Sequence, residues 1–260
     1  MTGTDKKGGL VVQARDLRLF EELAVMRVVD REQAKIVAGF GSTTRANTRL
    51  LALTRAKLLR RFFLGSRKSL YALSEKGAQL AEVPLRGPRR KADETLIADF
   101  FIEHQLAIND VYCTVKWGVI PFEGVSFRRW LTFHEPITKS IPLIPDGYVE
   151  LVTPRGTLAA FLEVDLGHER GPVWKEKPKN YLQLARSGEV ERRFGANRFR
   201  VLVLANSERR MHSLRKTVGA ITPKLFWFAT LGAVRDQGFS APVWYRTTGD
   251  TQTPLIEEYR

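Results

Sequence analysis

From Arg15 to Val29 apolar residues recur at Leu17, Leu19, Phe20, Leu23, Ala24 and Met26, a spacing that predicts an amphipathic helix. Asp30, with Gln33 three residues on, carries a capping-box signature for a short helix through Ala38, which Gly39-Phe40-Gly41 ends. Ser42 or Thr43 caps a third helix whose apolar stripe is Leu50, Leu51, Leu53, Leu58 and Leu59. Two strand-like runs follow, Leu59 to Leu64 and Ser69 to Leu73, joined by Gly65-Ser66-Arg67-Lys68, a hairpin signal with a basic tip. Ser74 caps a fourth helix, Glu75 to Ala81. Residues 83–92 hold two prolines, a glycine and four cations and read as a linker.

Past the linker, Asp93 caps a long helical pattern running to about Lys116. Strands are predicted at Arg129 to His134, Gly147 to Thr153 and Thr157 to Val164, the last two joined by a turn at Pro154-Arg155-Gly156. Then come a helix from Val173 to Ala185, an apolar strand Phe199 to Leu204, a basic helix Glu208 to Val218 and a strand Lys224 to Phe228. The class is mixed α/β, α+β overall, with a flexible N-terminus over residues 1–13, one domain over 14–82 and a second over 93–260. Three helices and a basic hairpin follow the order of a winged helix-turn-helix, whose third helix enters the major groove and whose wing touches the flanking backbone. The DNA-binding candidates are Thr43, Thr44, Arg45, Asn47 and Arg49 in the third helix and Arg67 and Lys68 at the wing tip. Arg and Asn can read base edges bidentately.

Charge sharpens this division. The formal net charge is +14, and residues 1–91 carry 20 Lys/Arg against 8 Asp/Glu while residues 92–260 carry 22 against 20. A basic excess confined to one third of the chain is an electrostatic footprint for a polyanion, and double-stranded DNA is the partner it suits. Cys113 is the single cysteine, which excludes a disulfide framework and a cysteine zinc site and suits a reducing cytoplasm. No apolar signal segment or membrane-length run is evident. There is no H-E-x-x-H, Walker loop, dinucleotide glycine fingerprint or G-x-S-x-G.

The candidate chemistry lies on neighbouring strands. Asp146 opens one strand, and Glu163 and Asp165 sit at alternate positions on the next, so strand periodicity can turn all three to one face. Three carboxylates so placed suit Mg²⁺ or Mn²⁺ and metal-assisted attack on a phosphodiester. Helix, three strands, helix, strand is also the order of the restriction-endonuclease-like fold, with a mixed sheet flanked by helices. Pro145-Asp146 and Glu163-Val164-Asp165 resemble its PD-(D/E)xK signature. Asp165 stands where that signature has lysine. Lys175, Lys177 and Lys179 on the following helix are candidate replacements, and Lys177 lies one turn from Tyr181 on the same face. Glu103, His104, Asn109 and Asp110 on the long helix, and His168 after the acidic strand, are further candidate ligands.

The segments Arg15-Asp16-Leu17 through Tyr71-Ala72-Leu73-Ser74-Glu75-Lys76-Gly77, His104 to Val111, Pro145-Asp146, and Phe161 to Gly167 with Lys177-x-x-x-Tyr181 together resemble the plasmid replication-relaxation family, over roughly residues 14–215. That family is similar to the MOBC conjugative relaxases. The resemblance implies a mobile-element protein that nicks or cleaves DNA, with Asp146 and Glu163 matching the metal-binding acids. Asp165 adds a third metal ligand, Lys177 assists the attacking water or the scissile phosphate, and Tyr181 offers a covalent route. The rival is a replication or transcription factor whose nuclease core is degenerate, since fold does not imply activity. A homodimer, or association with other proteins of the element, is open under either reading.

Overall fold

A computed structural model of the chain describes residues 10–65, 68–87, 95–118, 120, 123–169 and 171–256. Helix α1 (Ala14–Met26) forms on the predicted stripe, with Leu19, Phe20 and Leu23 buried. It stops at Arg27, whose φ of 67° turns the chain away, because Val28 and Val29 are buried and the short strand β1 (Val29–Asp30) begins there. The capping box on α2 (Arg31–Ala38) forms in both directions: the Gln33 N–H donates to Asp30 (2.9 Å) and the Asp30 N–H to Gln33 (3.3 Å). Ser42 caps α3 (Thr43–Arg55) by accepting the Arg45 N–H. The hairpin of β2 (Leu59–Leu64) and β3 (Lys68–Leu73) joins β1 in an antiparallel sheet of order β1-β3-β2, and α4 (Glu75–Leu80) follows.

Helix α5 (Thr95–Trp117) is the long helix of the sequence pattern. The chain divides into two compact units, Met1–Asn109 and Asp110–Arg260, so the division falls inside α5 rather than at the linker composition of residues 83–92. Burial explains this: Ile102 and Leu106 form one apolar cluster with Val28 and Leu70. Gln33 donates to the Leu106 carbonyl (2.9 Å), and the buried Asn109 amide donates to the carbonyls of Met26 (3.1 Å) and Val28 (2.6 Å). Asn109 thus satisfies backbone left open where α1 ends and is not a site ligand.

The second unit is built on a sheet of order β10-β9-β8-β7-β6-β5-β4. Strand β4 (Ser126–Leu131) starts three residues before the predicted run, because its register is set by β5 (Gly147–Thr153), where Arg129 lies opposite Glu150 and pairs with it at 2.5 Å. After β6 (Gly156–Asp165) come α6 (Gly171–Arg186), α7 (Glu189–Phe194), β7 (Arg200–Ala205), α8 (Glu208–Gly219), β8 (Phe226–Thr230), α9 (Leu231–Gln237), β9 (Trp244–Arg246) and β10 (Gln252–Thr253). Strands β6, β7 and β8 are parallel and the other pairs antiparallel, a mixed sheet as the sequence predicts. Trp174, Tyr181 and Leu184 of α6 and Met211, Leu214 and Val218 of α8 pack on Tyr148, Phe161, Val201, Val203, Phe226 and Phe228. The alternate residues Leu162, Val164, Leu202 and Leu204 are buried too, so the central strands are covered on both faces, as expected of parallel β-strands. No helix among the described residues is long and apolar enough to cross a membrane.

Candidate active site

The alternation of β6 decides what surrounds its acids. Phe161, Glu163 and Asp165 are all buried, and the partners of Glu163 and Asp165 lie on α6 and α8. One Glu163 oxygen accepts the Tyr181 hydroxyl (2.6 Å) and the other the Lys177 ammonium (2.7 Å). Lys177 and Tyr181 are four residues apart on α6, so both reach the same carboxylate. Lys177 also donates to both oxygens of Glu169, at 2.7 and 2.8 Å, from the loop after β6.

Asp146 is fixed from the neighbouring strand. Its N–H donates to the Leu162 carbonyl (3.0 Å) and its Oδ2 accepts the Val164 N–H (2.7 Å), which extends the β5–β6 ladder by a side chain and holds Asp146 beside Glu163. The next residue has to be glycine, because a Cβ on Gly147 would lie 2.9 Å from the Trp130 ring and 3.2 Å from Leu162.

These contacts set the protonation states. Burial pushes Glu163 up to about 7; Lys177 opposes the rise, and the negative charge of Asp146 adds to it. Burial would lower the Lys177 ammonium, yet Glu163, Glu169 and Asp146 together hold it well above the ordinary lysine range. Tyr181 is fully buried, and desolvation and the Glu163 charge raise its phenol well above the ordinary value. The buried phenol donates to Glu163 and so helps to fix the position of that carboxylate.

Asp165 has other employment. Its oxygens accept the Gly167 N–H (2.7 Å), the Trp174 indole (2.7 Å) and the Arg210 guanidinium at 2.8 and 2.9 Å. Burial would raise its pKa, but these donors, Arg210 foremost, hold it below the usual carboxylate value. Arg210 is fastened in turn to the Glu169 carbonyl (2.7 Å). The expected three-acid cluster does not form: among the described residues no three Asp, Glu, His or Cys side chains gather where they could hold a metal ion. Asp146 and Glu163 remain, two hard oxygen donors whose charges oppose each other, and Mg²⁺ needs only one or two carboxylates. Both Glu163 oxygens are themselves engaged, by Lys177 and Tyr181, so a cation at Asp146 and Glu163 would share that carboxylate with them, whereas Asp165 is fully taken up by Arg210, Trp174 and Gly167.

The other candidates separate clearly. Lys175 and Lys179 are exposed, and Lys179 pairs with Glu176 (2.7 Å). Glu103 and His168 are exposed, while Asp110 lies near Arg235. On α3, Thr44 and Arg45 are exposed and Thr43 and Asn47 half-buried. Arg49 is spent inside the unit: it donates to both oxygens of the fully buried Asp16, Nε at 3.0 Å and Nη2 by a shorter bond, and to the Val11 carbonyl (2.6 Å). Lys68 pairs with Asp30 (2.8 Å) while staying half exposed, and Arg67 lies outside the described residues. The unpredicted basic surface is on edge strand β2, where Arg60, Arg61 and Phe63 are exposed and Arg61 lies 4.8 Å over the Phe63 ring.

A model of the replication-relaxation family matches residues 20–198, well over half of the chain, spanning α3, Asp146, Glu163, Asp165, Lys177 and Tyr181. The chain belongs to the replication-relaxation family. Membership points to a role in plasmid replication or transfer. No curated protein and no solved structure matches the chain.

In this replication-relaxation protein three residues of the site escape sequence reasoning: Glu169, Trp174 and Arg210. Arg210 carries a usable signal. Strands β6 and β7 are parallel and Asp165 lies opposite Ala205, so a helix capped by Ser207 just after β7 must set its first turn beside the end of β6. Glu169 sits in a loop, and nothing in its local sequence marks it.

Proposed function

We propose that the chain binds duplex DNA of a plasmid or other mobile element through its N-terminal unit, as a winged helix, and nicks that DNA with a degenerate PD-(D/E)xK core, in the manner of a relaxase. The observation that carries this reading is the convergence of Asp146, Glu163 and Lys177 at the carboxyl end of the parallel strands. Lysine is missing from its usual strand position, but α6 returns an ammonium to the same carboxylate. Asp146 and Glu163 would hold Mg²⁺ or Mn²⁺. When bound, the cation lowers the pKa of water and offsets charge on the phosphoryl oxygens. The chain's own groups do the rest: Lys177 supplies a positive charge next to the reacting phosphate, Tyr181 orients Glu163, and the Asp165–Arg210 pair fixes the end of β6 against α6 and α8.

Supercoiled plasmid carrying the chain's own genetic locus provides the test. Nicking should appear with Mn²⁺ or Mg²⁺ and vanish with chelator or with Asp146→Asn. A second reading, a DNA-binding replication or transcription factor on a dead nuclease scaffold, draws support from the double hold of Glu163 and Glu169 on Lys177 in place of a lysine on β6. It stands if neither nicking nor a metal-dependent rise in melting temperature is found, because a ligand that binds the folded state must stabilise it.

The DNA-binding half has its own test. Arg45→Ala should weaken duplex binding and reduce the slope of log K against log salt by about 1, the change expected when one phosphate is no longer neutralised, with stability unchanged within about 0.5 kcal/mol. Unchanged affinity and slope would remove α3 from the interface.

A further inference from the structure

Strand β2 lies at the edge of the N-terminal sheet and divides its two phenylalanines between opposite faces. Phe62 and Leu64 pack against the apolar cluster of Val28, Leu70, Ile102 and Leu106, so the two-residue period turns Arg61 and Phe63 the other way. Phe63 is 55% exposed, with the Arg61 guanidinium 4.8 Å over its ring. Across the hairpin Ser69 lies opposite Phe63, and its hydroxyl accepts Arg61 through Nε (3.3 Å) and Nη2 (2.8 Å), which fixes the cation beside the ring. Ser69 also lines a small cleft with Asn47, and so connects the pair to α3, the helix predicted to read duplex DNA.

An apolar ring on an edge strand invites unwanted pairing, and folds usually cover or charge such edges. Charge here selects the occupant: residues 59–68 hold Arg60, Arg61, Arg67 and Lys68 and no Asp or Glu, which suits a polyanion rather than an apolar protein face. A paired base keeps its faces inside the duplex stack, whereas an unpaired base offers one to an aromatic side chain. Arginine beside the ring adds a planar cation that matches the adjoining phosphate. We propose that Arg61 and Phe63 form a platform on which an unpaired base stacks, so that the N-terminal unit recognises duplex DNA where it adjoins a single strand. This role rests on the DNA-binding reading of the unit and is independent of the acid–lysine cluster.

Fluorescence anisotropy of the full-length chain in chelator tests it, with a blunt duplex and the same duplex carrying an unpaired oligo-dT extension on either strand. The wild type should bind an extended duplex more tightly than the blunt one. Phe63→Ala should lower affinity for the extended duplex by on the order of tenfold, the effect of losing one stacked base, and leave the blunt duplex unchanged. The salt dependence should stay as it was, because a ring neutralises no phosphate. Phe63→Trp should keep the preference. A wild type that does not distinguish the duplexes, or a Phe63→Ala loss equal on both, would overturn the proposal. So would a Phe63→Ala change in sedimentation with DNA preference intact, which would assign the ring to a second copy of the chain. Binding of the extended duplex alone, still dependent on Phe63, would keep the platform and remove the winged-helix reading, whereas failure to bind either duplex would sink both.

Discussion

Arg49→Ala should destabilise the N-terminal unit by about 3–5 kcal/mol, the cost of stranding one partner of a buried ion pair. Asp16 is fully buried, and besides Arg49 it accepts only the Gln13 N–H among its described bonds (2.7 Å). Without Arg49 a carboxylate of α1 stays buried with one neutral donor, and α1 and α3 lose the pair that ties them. Against total stabilities of roughly 5–15 kcal/mol that loss is large enough to unfold the N-terminal unit and, with it, to abolish the DNA binding proposed for it. A denaturant melt of the full chain, with hydrogen exchange of α1 and α3 amides to localise the change, provides the measurement. Asp16→Leu/Arg49→Met, which removes both charges, should recover much of the loss. A folded Arg49→Ala protein of ordinary stability but poor DNA affinity would instead make Arg49 a DNA contact.

Arg49 also shows where sequence reading runs out. Its place on α3 was legible, since Ser42, the apolar stripe and the following hairpin all specify local structure. Its partner was not, because Asp16 lies 33 residues away and only tertiary packing brings them together. The same split recurs in the second unit. The two-residue period of β6 and the four-residue spacing on α6 predicted that Glu163, Lys177 and Tyr181 could meet, and they do. Period two also places Asp165 beside Glu163, but it cannot say that Arg210 arrives from α8 to occupy it. Strands β9 and β10 are two or three residues long and pair at the sheet edge, too short for any periodicity to register.

Glu163→Gln should make the metal-free protein more stable than wild type, by a margin that grows with pH. The Glu163 pKa is raised from 4.5 to about 7 in the folded protein, mainly by burial. Between those values the folded chain keeps a proton that the unfolded chain has released, so wild-type stability falls as pH rises, by about 1.4 kcal/mol per unit for this group. The loss sets in above pH 4.5 and levels off once the pH has passed about 7. Glutamine does not ionise; it can turn its oxygen to Lys177 and its amide to the Tyr181 oxygen, so this slope should vanish. Melts in chelator at pH 5 and pH 8 check it: parallel losses in the two proteins would mean that Glu163 is ionised throughout. The same substitution should abolish nicking, because it removes a cation-holding charge with little change in volume. Lys177→Ala should slow nicking by on the order of 10²- to 10³-fold, the usual effect of losing one transition-state donor. A variant that gains stability at pH 8 and loses nicking together places both effects on the one buried carboxylate, whereas full nicking by Glu163→Gln would remove the acid–lysine cluster from the chemistry.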